Sequence, residues 1–469
     1  MKALDALLQS MQGTIALEGQ RVVVRDEAQL PDRISGLIYE AVFSDNETKA
    51  VARWLIWETA QALGIRPASI HALYLARGRG EVSQRMAVPA MNLRMLAYDT
   101  ARAAFRAALK ANAAAFIFEI ARSEMGYTDQ RPSEYVSAVL AAAIKEGYRG
   151  PVFIQGDHFQ INLKKYAAHP EAELNAVKDL MVESVPAGFL NIDIDTSTLV
   201  DLSKPTIVEQ QRVNFELCAE LTKFVRSLQP QGVTISVGGE IGEVGGKNST
   251  EEEMRAYMDG YNQSLGDVAG MSKISIQTGT SHGGVVLPDG TIANVALDFE
   301  VLRHLSEVAR TAYGMGGAVQ HGASTLPENA FSKFVECGAN EVHLATAFQT
   351  LVYDHKALPA ALREKTYEWV KVNAADERKP KDTEEQFIYK SRKKAIGPFK
   401  RDFWNLPTEI REAIGADLEA RFAFLFQQLN IGDTKPIVDQ FIHAPEIHKP
   451  LPTEALKKVV QESVEGLAD

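Results

Sequence analysis

Three of the ten histidines each follow a short apolar run and sit among small or acidic residues. They are His158 in Gln155-Gly156-Asp157-His158, His282 in Gly279-Thr280-Ser281-His282-Gly283-Gly284, and His321 in Gln320-His321-Gly322-Ala323-Ser324. Two further runs end in carboxylates, Asp193-Ile194-Asp195-Thr196-Ser197 and Gly238-Gly239-Glu240-Ile241-Gly242, and a last one carries His343 and Thr346. Three imidazoles converging on one point would make a divalent-metal site with open coordination positions. Such a metal polarises a carbonyl and stabilises the enediolate left when an adjacent proton departs. A single histidine at a strand end is more often hydrogen-bonded to backbone, but three in matching positions favour a shared cation. His71, His169, His304, His355, His443 and His448 lack that placement and read as structural or exposed. Small residues such as Gly283, Gly284, Gly322 and Ala323 let backbone N–H groups approach an oxyanion, and Ser324 adds a hydroxyl donor; the plainer reading is tight turns. The glycine-rich stretch 238–246 reads either as a mobile loop over the site or as turn chemistry.

The elements that must position these residues are eight apolar, strand-like runs: 86–93, 114–121, 151–159, 189–197, 233–241, 273–280, 317–324 and 341–348. Each has the length and near-continuous apolarity of a buried parallel strand. Amphipathic segments lie between them, at 97–111, 132–146, 171–185, 207–228, 298–313 and 327–337. Strand and helix alternating eight times predict an α/β fold, a (β/α)8 TIM barrel over 86–350, with a doubly wound open sheet as the rival. In a barrel the chemistry sits at the C-terminal strand ends, where all the residues above fall. The flanks, 1–85 and 351–469, read as helical N- and C-terminal extensions. The first has helical stretches at 3–11 and 48–63 and a β-like 22–24; the second carries a basic run at 390–394. They could cap the barrel, build an oligomer interface or supply a lid.

Composition narrows the function classes. The chain has 469 residues, 45% hydrophobic and 24% charged, which is ordinary for a globular protein. Lys and Arg total 50 against 61 Asp and Glu, a net charge of −11, which disfavours non-specific attraction to nucleic acid or anionic membrane. Two cysteines are too few for a disulfide framework, no apolar run is long enough to span a bilayer, and residues 1–20 lack a signal-peptide pattern. A soluble, cytoplasmic protein is expected, with no nucleic-acid or membrane partner.

On these residues the sequence resembles the class II, metal-dependent ketose-bisphosphate aldolases, the fructose- and tagatose-bisphosphate aldolase family. The motifs are Val88-Pro89-Ala90-Met91-Asn92, Asp157-His158, Gly188-Phe189 leading to Asp195-Thr196-Ser197, and Glu240-Ile241-Gly242 with Gly245-Gly246. They continue through Gly279-Thr280-Ser281-His282-Gly283, His321-Gly322-Ala323-Ser324 and the run from Gly338 to Thr346. The segments 119–158 and 187–196 also resemble a sister branch, the non-catalytic subunit of tagatose-bisphosphate aldolase. The resemblance implies Zn2+ or another divalent metal held by His158, His282 and His321, with a monovalent cation as a further cofactor. It implies that Asp157 exchanges a proton with the C4 oxygen, and that Asp195 and Glu240 hold a second metal or support the first. It places Gly283, Gly322, Ser324 and Thr346 against the phosphate of dihydroxyacetone phosphate, and Ser123 against a second phosphate. A phosphorylated ketose as substrate and a homo-oligomer as assembly follow from the same likeness.

The chain departs from that pattern at informative places. The family's Asn-x-Asp-Thr appears as His343-Leu344-Ala345-Thr346, and Ala323 stands where glycine is commoner. The glutamate that takes the C3 proton would fall near Lys247 or Asn248. Glu251, Glu252 and Glu253 follow, either as that base in a shifted register or as the acidic first turn of a helix capped by Ser249 or Thr250. The basic run 390–394 could supply a cation for the distal phosphate or form a solvated helix face. Three functions follow: reversible cleavage of fructose or tagatose 1,6-bisphosphate, a non-catalytic stabilising subunit, or an aldolase for a related phosphorylated sugar.

Overall fold

The computed structural model describes residues 2–242, 247–279, 287, 297–456 and 463–468. Helix Lys2–Ser10 leads into an antiparallel hairpin of β1 (Ile15–Glu18) and β2 (Arg21–Val24), turned at Gly19 with φ +64°. Helices Leu30–Phe43 and Asn46–Ala62 follow, then β3 (Ile65–Ala68) and helix His71–Gly78. The sequence reading anticipated the second of these helices but not β3, which is only four residues long and contains Pro67.

Eight parallel strands then close into a barrel. They are β4 (Val88–Asn92), β5 (Ile117–Ala121), β6 (Gly150–Gln160), β7 (Asn191–Asp195), β8 (Ser236–Glu240), β9 (Lys273–Ile276), β10 (Ala318–Gln320) and β11 (Glu341–Leu344). Each pairs with its sequence neighbours, and β11 pairs with β4 to complete the ring, so the fold is a (β/α)8 TIM barrel with helical extensions. The open-sheet alternative is excluded by that last pairing. β3 joins from outside, pairing with the first four residues of β6. Asn191 stitches this junction: its side chain accepts from Ile70 N (2.9 Å) and donates to the carbonyls of Ala68 (3.1 Å) and Ile154 (3.0 Å).

The helices between strands start and stop where local chemistry dictates. Pro132 and Pro170 open their helices at positions where a missing N–H costs nothing. Thr206 and Glu209 form a reciprocal cap on Ile207–Leu228. Gly147 and Gly314 end two others in the left-handed region, at φ +73° and +68°. Their apolar residues, such as Val139, Leu140 and Ile144 of Pro132–Glu146, are buried. Each such side chain contributes roughly 1.5–3 kcal/mol.

Strand lengths differ from the sequence expectation. The run 341–348 is strand only to Leu344, and Thr346 begins helix Thr346–Asp354 rather than lying on the strand. Beyond it, helices Ala360–Asn373, Glu384–Ser391, Thr408–Gln428 and Lys435–Phe441 form the C-terminal part. Thr408–Gln428 packs on Ala97–Lys110 through an Arg106–Glu419 ion pair (2.6 Å), and its Phe426 ring meets Phe116 just ahead of β5. The basic run is consumed locally: Lys390 pairs with Asp382 (2.7 Å), Arg392 with Asp354 (2.7 Å) and Lys394 with Glu377 (3.0 Å). No described helix is long and apolar enough to cross a membrane, and both cysteines are buried free thiols.

Candidate active site

The site is built on a distortion of β6. Consecutive strand residues normally point to opposite faces, yet Asp157 and His158 both face the barrel interior. The register between β6 and β7 slips between Gly156 and Phe159, and His158 adopts φ +39°, a left-handed value uncommon for any residue but glycine. This bulge turns both side chains inward. Gly156 is required there, because a Cβ would lie 2.2 Å from the Phe159 ring.

Hydrogen bonding holds the ring of His158. Its Nδ1 lies 2.8 Å from Asp195 Oδ2, which also accepts from Gln160 Nε2 (2.6 Å). Asp195 Oδ1 accepts from the backbone N–H (3.0 Å) and hydroxyl (2.6 Å) of Ser197. Asp195 thus fixes the orientation of the His158 ring. His321, just past β10, places its ring centroid 4.5 Å from that of His158, and Ser275 Oγ lies 2.9 Å from its Nε2. Asp157 is held through Oδ2 by Asn92 Nδ2 (2.9 Å), and its buried Oδ1 lies 3.3 Å from His343 Nδ1. Ligand atoms of Asp157, His158 and His321 lie within 4.8 Å of one another, as do those of His158, Asp195 and Glu240. Glu240 reaches Gln277 Nε2 (3.0 Å) and lies 3.5 Å from His158 Nδ1.

Electrostatics separates these carboxylates. Burial would raise Asp157, but His158 and then His343 outweigh it and hold it well below its ordinary value. Burial also works against a charged His158, yet Asp157 and the Asp195 hydrogen bond raise it well above the usual imidazole range. Glu240 is pushed well up, by burial first and the neighbouring Asp195 second. A divalent cation suits this set: ligand atoms of three buried carboxylates and two imidazoles converge there, and a cation would offset the carboxylates' charge.

Below this centre lies a second polar layer absent from the sequence expectation. Lys273 on β9, fully buried, donates to Gln155 Oε1 (2.7 Å) and pairs with Asp193 (2.9 Å) and Glu341. His343 reaches Glu341 through Nε2 (2.7 Å) and lies 3.1 Å from Glu119 and 3.3 Å from Asp157 through Nδ1. Its ring centroid is 4.0 Å from that of His321, so the two layers are continuous. Burial pushes Glu119 up to about 8, against the pull of His343. The signal for this layer was present: Gln155 and Asp157, Asp193 and Asp195, Lys273 and Ser275, and Glu341 and His343 alternate at the strand period.

The remaining sequence candidates fall around the barrel mouth. Gly322 takes φ +69°, Ser324 Oγ accepts from Ala345 N (2.6 Å), and Arg94 Nη1 approaches Thr346 Oγ1 at 3.4 Å. Ser123 follows β5, and its hydroxyl donates to the carbonyl of Ala468 (2.7 Å). His282 and Gly283 lie outside the described residues. Of the glutamate triplet, Glu253 completes a reciprocal cap with Thr250 and pairs with Lys247 (2.7 Å), while Glu251 binds Arg255 (2.7 Å) and His304 (2.5 Å). Those two belong to a helix start. A cavity of about 160 Å³ opens nearby, lined by Ser197, Gln211, Gly242, Lys247 and Ser249 among others.

Residues 82–400, more than half the chain, match the family described as fructose-bisphosphate aldolase class-II. The chain belongs to that family. Curated proteins give no match to the sequence. Among solved structures, the fructuronate-tagaturonate epimerase of Cohnella laeviribosi aligns over 90% of both chains at 11% identity with a TM-score of 0.54. A probable tagatose 6 phosphate kinase of Sinorhizobium meliloti aligns over 76% of this chain and 99% of its own, at 17% identity and a TM-score of 0.52. The fructose-bisphosphate aldolase of Campylobacter jejuni aligns over 76% and 93%, at 18% identity and a TM-score of 0.46. At these identities the first two likenesses establish a shared fold.

Proposed function

We propose that this chain is a metal-dependent aldolase that reversibly cleaves a ketose 1,6-bisphosphate, fructose or tagatose, to dihydroxyacetone phosphate and glyceraldehyde 3-phosphate. The observation that carries this reading is the convergence of Asp157, His158 and His321 at the mouth of a barrel of the class II aldolase family. His158 and His321 would hold Zn2+ or another divalent ion, with His282 as the third imidazole expected from the sequence. When bound, that ion supplies Lewis-acid stabilisation of the negative charge that develops on the ketose oxygens.

The chain's own residues account for the proton at the breaking bond. Asp157 is ionised and held by Asn92, so it can accept the proton of the C4 hydroxyl. As that proton leaves, the C4–O bond becomes a carbonyl and the C3–C4 pair passes to C3, giving an aldehyde and an enediolate. Protonation at C3 then yields dihydroxyacetone phosphate, and the reverse sequence forms the ketose. Asp195 keeps the His158 ring in its orientation. Gly322, Ser324 and Thr346 would position the phosphate nearest the ketone, and Arg94 stands beside Thr346.

A second reading, reaction on a related phosphorylated sugar at the same centre, is favoured by His343 and Ala345. Those residues replace a hydroxyl-binding asparagine and an acid, and His343 is occupied among Glu119, Glu341 and Asp157. A purely stabilising subunit is disfavoured by the convergence of Asp157, His158 and His321. The deciding experiment is release of dihydroxyacetone phosphate from both bisphosphates by the zinc-loaded chain. Asp157→Asn is expected to lower kcat by roughly 10²–10⁴-fold while retaining metal. Failure of the metal-loaded chain to cleave either epimer would overturn the bisphosphate reading.

A further inference from the structure

Residues 463–468 lie across the barrel mouth where β5 and β6 end, and their contacts are one-sided in chemistry. Four acceptors of the segment meet four donors of the barrel. The Ala468 carbonyl accepts from Ser123 Oγ (2.7 Å), and the Glu465 carbonyl accepts from Asn162 Nδ2 (2.6 Å). The Ser463 carbonyl accepts from Lys165 Nζ (2.9 Å), and the Glu465 carboxylate pairs with Lys164 (3.2 Å). A bond in the other sense runs from Ala468 N to Gln160 Oε1 (2.7 Å). Ser123, Gln160 and Asn162 are all at least nine-tenths buried, so this is a formed surface and not a chance meeting of exposed side chains. Gly466 crosses it at φ +78°, where a Cβ would come 3.2 Å from Asn162 Nδ2.

A hydroxyl, an amide NH2 and two ammonium groups presented together are what an acceptor-only dianion needs. The shelf is also connected to the metal centre. Gln160 takes the Ala468 N–H on Oε1 and donates through Nε2 to Asp195 Oδ2, which holds His158 Nδ1. The family likeness already places Ser123 at a second phosphate; we propose that Asn162, Lys164 and Lys165 join it there, and that residues 463–468 occupy this subsite as an internal stand-in which the substrate displaces. This rests on the phosphorylated-ketose reading and adds to it the subsite's further donors and its occupant.

An occupied subsite lowers apparent affinity by the fraction of molecules in which it is open. Removing residues 463–469 from the zinc-loaded chain should therefore tighten binding of inorganic phosphate, measured by titration calorimetry, by about tenfold or more. KM for a ketose 1,6-bisphosphate should fall in parallel, while KM for a ketose 1-phosphate stays within about twofold. Adding Lys164→Ala and Lys165→Ala to the shortened chain should abolish the gain. Gly466→Val in the full-length chain, which forces a Cβ into the crossing, should reproduce the gain if the shortened chain does not fold. Unchanged phosphate affinity and unchanged bisphosphate KM in a folded variant of either kind would overturn the proposal. Tighter phosphate binding without cleavage of any ketose would leave the subsite standing and remove the aldolase reading. Cleavage that is indifferent to residues 463–469 would do the reverse.

Discussion

A strand residue and its successor face opposite sides of a sheet, so Asp157 and His158 share the barrel interior only through the bulge between Gly156 and Phe159. The left-handed backbone of His158 is tolerated because its ring is fixed by Asp195 on one side and packed against His321 on the other. Replacing Gly156 tests this directly. Gly156→Val must displace the Phe159 ring, and a loss of roughly 1–3 kcal/mol in denaturant unfolding is expected, together with reduced metal content. Equal stability and equal metal content would show that the bulge has no role in aiming the ligands. Asp157, His158, Asp195, Glu240 and His321 were legible in the sequence because each falls at or near the C-terminal end of a strand, where barrel chemistry collects. His343 was read there as a strand-end residue and as a departure from a family pattern, but not its role, which depends on cross-barrel partners on β5 and β6 that no local spacing reveals.

The strands carry a barrel interior that is polar where aliphatic layers are usual. Lys273 is the internal cation of this layer, holding Asp193, Glu341 and Gln155 together across β6, β7, β9 and β11. Removing one partner of such a network strands the other charges in a medium that cannot solvate them. Lys273→Met is therefore expected to destabilise the fold by about 3–5 kcal/mol, measured by denaturant unfolding. A change below about 1 kcal/mol would show that the carboxylates simply protonate and that the lysine is dispensable. The eight strands were legible as runs, yet β10 keeps only Ala318–Gln320 of its expected eight positions, because Gly322 turns the chain into a short helical turn. The ninth strand, β3, was not legible, since its pairing with β6 is set by tertiary contact and not by its own composition.

On the scale of the whole molecule, the C-terminal chain returns across the structure to the N-terminal helix Asn46–Ala62. Trp54, Trp57, Glu58 and Gln61 form one helical stripe, and every one of them binds the backbone of 447–449. His448 adds a side-chain contact from Nδ1 to buried Glu58 (2.6 Å), which raises its pKa above the usual 6.5. A histidine raised by folding stabilises fully below pH 6.5 and loses that contribution as pH climbs through the raised value. His448→Gln should cost about 0.5–1 kcal/mol at pH 5.5, a gap that closes as pH climbs through the raised value. A gap of the same size on both sides of that value would place the effect in packing instead. Sequence marked these flanks only as helical extensions, because irregular chain docked through its backbone leaves no periodic trace. The central claim, that His158 and His321 hold a divalent cation beside Asp157, is tested most directly by the metal content of the purified chain and of its His158→Ala and His321→Ala variants. About one tightly held divalent ion per chain in the parent, lost from both folded variants, is the expected result; an unchanged metal content in either variant would contradict it.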